Sequence, residues 1–223
     1  MKNLDLLRHV AVDMDQLGVD CIFFGGTVVG VHLDQLPPME EERPTTDVDC
    51  VLLAIASHRE MQELEERMMA AGWKHDTRPH RRNLYARIAP SGVPVDLVPM
   101  HSLAEEEPVR LGNSVEVKVA EGQRIRVLDS AGMVAAKLAA FHDRGSADPL
   151  MSQDLEDLAM LLSCCSTIEA ALGVADARLQ KQVRMGLAGV LEAPFVLEVL
   201  DGSIPRGVDG ERVMARIERL AGR

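Results

Sequence analysis

Two short blocks of this 223-residue chain can be satisfied together by few folds. The first is Cys21-Ile22-Phe23-Phe24, an apolar run of strand length, followed at once by Gly25-Gly26-Thr27 and a second apolar stretch from Val28 to Leu33. That order reads as strand, tight turn and helix. The second block is Asp47-Val48-Asp49-Cys50-Val51-Leu52-Leu53, which alternates at its start and then turns wholly apolar. A central strand behaves this way when its first residues lie at the rim of a sheet. Two carboxylates therefore stand at one strand end, two positions apart and on one face.

The rest of the chain builds around these blocks. Leu4, Leu7, Val10, Ala11 and Met14 recur at helical spacing, so residues 2–17 are expected to form an amphipathic helix stopped by Gly18. Pro37-Pro38 and Glu40-Glu41-Glu42 suit only an exposed loop. A helix is expected over 58–71. Strands are expected at 73–75, 84–88, 95–98, 115–119 and 124–127, with Pro90-Ser91-Gly92 as one of the separating turns. From Asp129 onward helix formers dominate, with breaks at Gly145 to Pro149, near Gly173, at Pro194 and at Gly202 to Gly210. Asp148-Pro149 reads as a helix start, and Val213, Ile217 and Leu220 give the last helix one apolar face. The expected architecture is α/β (α+β): a mixed β-sheet core with flanking helices over residues 1–128 and a helical C-terminal domain over 129–223.

Composition narrows the function classes. A formal net charge of -11 argues against the broad basic surface of a non-specific nucleic-acid binder. One Trp, one Tyr and four Phe leave few platforms on which bases could stack. Cys21, Cys50, Cys164 and Cys165 show no CxxC spacing and read as reduced core thiols. No apolar run approaches membrane-spanning length, and Asp5, Asp13, Asp15 and Asp20 occupy the place of a signal-peptide core, so a cytoplasmic protein with no membrane partner is expected.

The chemistry lies in the order Gly25-Gly26-Thr27, then Asp47 and Asp49, then Asp96 within Val95-Asp96-Leu97 on a later strand. A Gly-Gly turn lets backbone amides approach a triphosphate, and Thr27 opens a helix whose positive end favours that charge. Asp47 and Asp49 on one face, completed by Asp96, have the donor set for two Mg²⁺ ions about 3.5–4 Å apart. One metal would bind the phosphates of a nucleoside triphosphate such as ATP and the other would activate an acceptor hydroxyl, the arrangement nucleotidyl transfer requires. Arg78-Pro79-His80-Arg81-Arg82-Asn83 with Arg87 is the one dense basic stretch in an acidic chain, and phosphate binding, RNA-backbone binding and a plain exposed loop are all open for it. The histidines form no metal-ligand spacing, and Ser91, Ser146 and the cysteines have no base at readable spacing.

Gly25-Gly26-Thr27 followed by Arg43-Pro44-Thr45-Thr46-Asp47-Val48-Asp49, an R-x-T-x-D-x-D run, resembles the DNA polymerase β-like nucleotidyltransferases. Lys137-Leu138-Ala139-Ala140-Phe141-His142-Asp143-Arg144 ahead of Asp154-Leu155-Glu156-Asp157-Leu158 is similar to the AbiEii-like toxin branch. The resemblance covers roughly residues 20–162. It implies a nucleotidyltransferase core, catalysis and metal binding by Asp47, Asp49 and Asp96, and nucleotide binding by Gly25, Gly26, Thr27, Arg43 and Lys137. It also implies a toxin of a toxin–antitoxin pair, with an RNA such as tRNA as acceptor and an antitoxin protein as partner. In residue terms Lys137 and Arg144 share a helix face, and pairing with Asp143, Asp154 or Asp157 stands beside the phosphate role. Modification of a small hydroxylated molecule, as by antibiotic nucleotidyltransferases, and a catalytically silent nucleotide-binding module are the alternatives.

Overall fold

The computed structural model describes residues 2–37, 40, 42–78 and 85–223. The chain clusters into two compact units, one of residues 1–28, 44–105 and 114–128, the other of residues 29–43, 106–113 and 129–223.

The first unit is a mixed sheet with helices. Its described strands are β1 (Cys21–Phe24), β2 (Val48–Leu52), β3 (Lys74–His75), β4 (Ala86–Ile88), β5 (Pro94–Pro99), β6 (Ser114–Ala120) and β7 (Gln123–Leu128), laid side by side as β3-β4-β5-β2-β1-β7-β6. β2 sits at the centre, parallel to β5 and antiparallel to β1, and β1 is parallel to β7. The outer pairs β3/β4, β4/β5 and β6/β7 are antiparallel. Every residue of β2 except Asp49 is buried, as a two-sided central strand requires. β5 alternates, with Val95, Leu97 and Pro99 buried.

Helix α1 (Asn3–Leu17) buries Leu7, Val10 and Met14 and ends at Gly18, whose φ of 63° is the left-handed geometry of a C-terminal cap. Helix α3 (His58–Ala70) starts on Ser57, which accepts from the Glu60 N–H at 3.3 Å, while the Glu60 carboxylate reaches back to the Ala56 N–H at 2.8 Å. Met61, Leu64 and Met68 from α3 and the indole of Trp73 complete this unit's core.

The second unit is helical: α4 (Pro108–Leu111), α5 (Ser130–Ala140), α6 (Gln153–Cys164), α7 (Ile168–Val174), α8 (Ala177–Glu192), α9 (Pro194–Gly202) and α10 (Gly210–Ala221), together with residues 29–32 of α2 (Gly26–His32). Asp129 caps α5 by accepting from Gly132 N–H at 2.8 Å. Val134, Leu138, Leu155, Leu158, Leu162, Leu179, Val183, Leu187 and Ile217 form an aliphatic core. Asp148-Pro149 departs from expectation. Pro149 opens only a single 3-10 turn, Asp148 makes no side-chain cap, and α6 begins at Gln153 on Ser152, whose hydroxyl accepts from Leu155 N–H at 3.3 Å. Ser152 satisfies the first free amides four residues later than Asp148 would have. All four cysteines are buried and unbridged. No single helix among the described residues is long and apolar enough to cross a membrane.

Candidate active site

Strand register brings Asp49 and Asp96 together. β2 and β5 run parallel with Asp49 opposite Asp96, and side chains at matched positions of neighbouring strands share a face, their backbones about 4.8 Å apart. Asp47 immediately precedes β2 and falls on the face of Asp49, two positions on. All three are half-buried. The same row continues through Phe24, opposite Asp49, and Ala86, opposite Asp96.

Gly25 follows Phe24, so the turn after β1 lies against Asp49. Its φ is +77°, and a Cβ built there would stand 1.9 Å from Asp49 Oδ2. Glycine is therefore required twice, for the backbone conformation and for the approach of the carboxylate. Gly26 is the first residue of α2. Thr27 is 1% exposed, and its Oγ1 has no hydrogen-bond partner among the described residues. Leaving such a group unsatisfied costs about 1–3 kcal/mol, so the hydroxyl beside the turn is suited to a polar ligand. The segment leading into Asp47 is anchored from α1: buried Asn3 accepts from Thr45 N–H at 3.0 Å, and Thr45 Oγ1 donates to the Asp47 carbonyl at 3.4 Å. Sequence reasoning missed Asn3, and no local pattern announces it.

It also missed Asp76. One residue beyond β3, Asp76 donates its N–H to the Ala86 carbonyl at 3.1 Å, extending the row that holds Asp49 and Asp96. Its side chain is fully buried and receives the Arg78 guanidinium through Nε, at 2.8 and 3.0 Å, and through Nη2. Hydrogen bonding to Asp76 raises the pKa of Arg78, and the fields of Asp47 and Asp96 add to the shift. Arg78 thus stands within the electrostatic reach of two members of the aspartate trio. The remainder of the basic stretch, residues 79–84, lies outside the described residues. Arg87, its far end, is not on an exposed patch: it is 2% exposed, pairs with Glu65 and donates to the Ala86 carbonyl at 2.9 Å.

Beneath the site, Cys50 is held well above the ordinary thiol range by hydrogen bonding with Cys21 and by burial, with the negative fields of Asp49 and Asp96 acting the same way. A protonated, buried thiol is a core group and a poor nucleophile.

Among the described residues no three acidic, imidazole or thiol groups are gathered closely enough to hold a metal ion by themselves. Asp47, Asp49 and Asp96 share a face and a rim without forming a finished cage. Mg²⁺ is commonly bound by one or two carboxylates, with substrate phosphates and water completing the octahedron. An all-oxygen, partly open donor set fits that habit.

Arg43 and Lys137, the other two residues assigned to the nucleotide by resemblance, belong to the second unit and are tied into an ion network there. Arg43 forks onto Asp157, Nε to Oδ1 at 3.2 Å and Nη2 to Oδ2 at 3.0 Å. Lys137 Nζ bridges Asp157 Oδ2 at 2.6 Å and Asp154 Oδ1 at 3.2 Å. Arg144 forks onto Asp154 at 2.8 and 3.0 Å. Lys137, Asp154 and Asp157 are all buried. Burial alone would raise the Asp154 pKa, but Arg144 and Lys137 override it and hold the carboxyl below its ordinary value. The pairing of Lys137 with Asp154 and Asp157, one of the two roles open from the sequence, is present.

The family model described as nucleotidyl transferase AbiEii toxin, type IV TA system, matches residues 5–206. Among solved structures, an antigenic nucleotidyltransferase-like protein from Paracoccidioides brasiliensis aligns with a TM-score of 0.57 at 15% identity, covering 91% of this chain and 94% of the other. The solution structure of the antibiotic-resistance factor ANT(2'')-Ia aligns at 0.52 with 14% identity, covering 89% and 97%. At such identities the shared property is the fold. A search of curated proteins yields no match.

Proposed function

Because the chain belongs to the AbiEii nucleotidyl transferase toxin family of type IV toxin–antitoxin systems, we propose that it moves a nucleoside monophosphate from a nucleoside triphosphate to a hydroxyl on an RNA acceptor such as tRNA, releasing pyrophosphate. The observation that carries this reading is the pairing of Asp49 with Asp96 across parallel strands while Gly25 closes against Asp49. Asp47 and Asp49 would hold Mg²⁺ together with the triphosphate. Asp96, on the adjoining strand, would take the acceptor's side and receive the proton of its hydroxyl. When bound, the metal neutralises phosphate charge and lowers the pKa of the attacking hydroxyl. Gly25 and Gly26 leave room for the phosphates against the backbone, and Thr27 Oγ1 supplies a hydrogen bond at the turn. Asn3, through Thr45, keeps Asp47 in place. Arg43 and Lys137 act in this reading by fixing the buried carboxylates of the helical unit. An antitoxin is the corresponding protein partner.

The test is label transfer. The protein and its Asp47→Ala/Asp49→Ala variant are incubated with Mg²⁺, each α-labelled nucleoside triphosphate, and either total RNA or a hydroxylated small molecule such as an aminoglycoside. Expected is Mg²⁺-dependent labelling of RNA by the unaltered chain and none by the variant. Labelling that survives the double substitution would refute the site, and labelling of the small molecule alone would refute the acceptor class. Absence of transfer to either acceptor would favour a silent nucleotide-binding module.

A further inference from the structure

Strand β6 ends the sheet on one side. Its inner side pairs with β7, and no described strand pairs with its outer side. Val115, Val117 and Val119 fall on one face, Glu116 and Lys118 on the other. Val115 is 40% exposed and the Glu116 side chain 62%. An open edge of this kind presents unpaired N–H and C=O groups that template a further strand, and proteins guard such edges with charge or bulges. The guard here covers one end only. The register with β7 shifts between Lys118 and Ala120, and Arg8 donates to the Val119 carbonyl, whereas Ser114 to Lys118 is regular.

The charges on that regular stretch select one kind of strand. We infer that β6 of one copy pairs antiparallel with β6 of a second copy, about a twofold axis through Val117, to give one sheet continuous across two chains. Such an axis, perpendicular to the sheet, leaves each residue on its own face, so the centre must fall on a residue and not between two. Centring on Glu116 sets glutamate against glutamate, and centring on Lys118 sets lysine against lysine. Centring on Val117 sets Glu116 against the second copy's Lys118, Lys118 against the second copy's Glu116, and valine against valine. Of these three registers only the one centred on Val117 brings opposite charges together, which no centre on Glu116 or Lys118 does.

A second observation points the same way. Within the chain Lys118 lies opposite Arg124, a like charge, and Arg124 is drawn to Glu116 at 3.4 Å. Lys118 has no ion-pair partner among the described residues, and the second copy's Glu116 supplies one. Three central pairs make a small contact, so the association is concentration-dependent and weakened by salt.

Sedimentation velocity of the full chain over a concentration series at low salt tests this. The unaltered chain is expected to pass from one chain to two as concentration rises. Glu116→Lys and Lys118→Glu each turn both ion pairs into repulsions and should weaken dimerisation by about tenfold or more. Glu116→Lys/Lys118→Glu restores opposite charges in the same register and should recover the original dimer. Circular dichroism and thermal melting of each variant confirm that the chain is folded. A chain that stays monomeric up to its solubility limit overturns the inference. So does a dimer indifferent to the single reversals, or a double reversal that fails to recover it.

Discussion

Replacing Gly25 by alanine separates the two demands placed on that residue. At φ +77° any side chain costs about 1–2 kcal/mol of backbone strain. The new methyl would also stand 1.9 Å from Asp49 Oδ2, so the carboxylate must retreat until the contact reaches at least 3.4 Å. A catalytic group misplaced by about 1 Å loses roughly 100-fold in rate, and transfer by Gly25→Ala should fall by about that factor. Gly18→Ala is the matched control. Its φ is +63°, but a Cβ there meets nothing within 4 Å, so it carries the strain without the collision. Both variants should lose about 1–2 kcal/mol in urea unfolding, while only Gly25→Ala loses transfer in the labelled-nucleotide assay. If both variants transfer label equally well, the close packing of the turn against Asp49 has no catalytic meaning and the reasoning fails.

Three further outcomes follow from the ion pairs. Lys137→Met removes the bridge between two buried carboxylates that keep their arginine forks and should cost about 1–3 kcal/mol in urea unfolding, whereas Arg144→Met, whose side chain is 69% exposed, should cost less. The Asp154 carboxyl titrates below its unfolded value of 3.8, so its stabilising contribution is complete above that pH and disappears as pH falls through the lower, folded value. Acid unfolding below about pH 4 should therefore be less steep in Asp154→Asn, as read by circular dichroism. Arg87→Met leaves Glu65, a partly exposed partner, and should destabilise by about 1–3 kcal/mol while leaving RNA labelling unchanged in thermal-melt and transfer assays. Lost labelling in a folded Arg87→Met would return this residue to the basic surface proposed from sequence.

The elements of the sheet were legible because their signals are local. The apolar run at Cys21–Phe24, the Gly-Gly turn and the alternation at Asp47–Leu53 each need only a few neighbours to be read, and the strands and helices fall where those periods put them. Asp47, Asp49 and Asp96 could be named from their company and expected to share one site, but the register that sets Asp49 opposite Asp96 could not be read. Sequence spacing does not encode how β2 and β5 align. Asp76, Asn3 and the burial of Arg87 were invisible for the same reason: each acts through a partner in another element. Lys137 shows the intermediate case, since its helix face was readable, whereas its bond to Asp157, twenty positions on, depends on how α5 packs against α6. At Asp148-Pro149 a good local signal lost to a better cap at Ser152.

The row from Phe24 through Asp49 to Asp96 has a consequence for how the protein comes into being. Its members are drawn from three stretches far apart along the chain, and strand pairings over such separations close slowly because the entropy of the intervening loops must be overcome first. A nascent chain that has emerged only through β2 carries Asp47 and Asp49 but has no Asp96 to set beside them. Competence for chemistry is thus a late event of synthesis and folding, reached only when β5 takes its place next to β2.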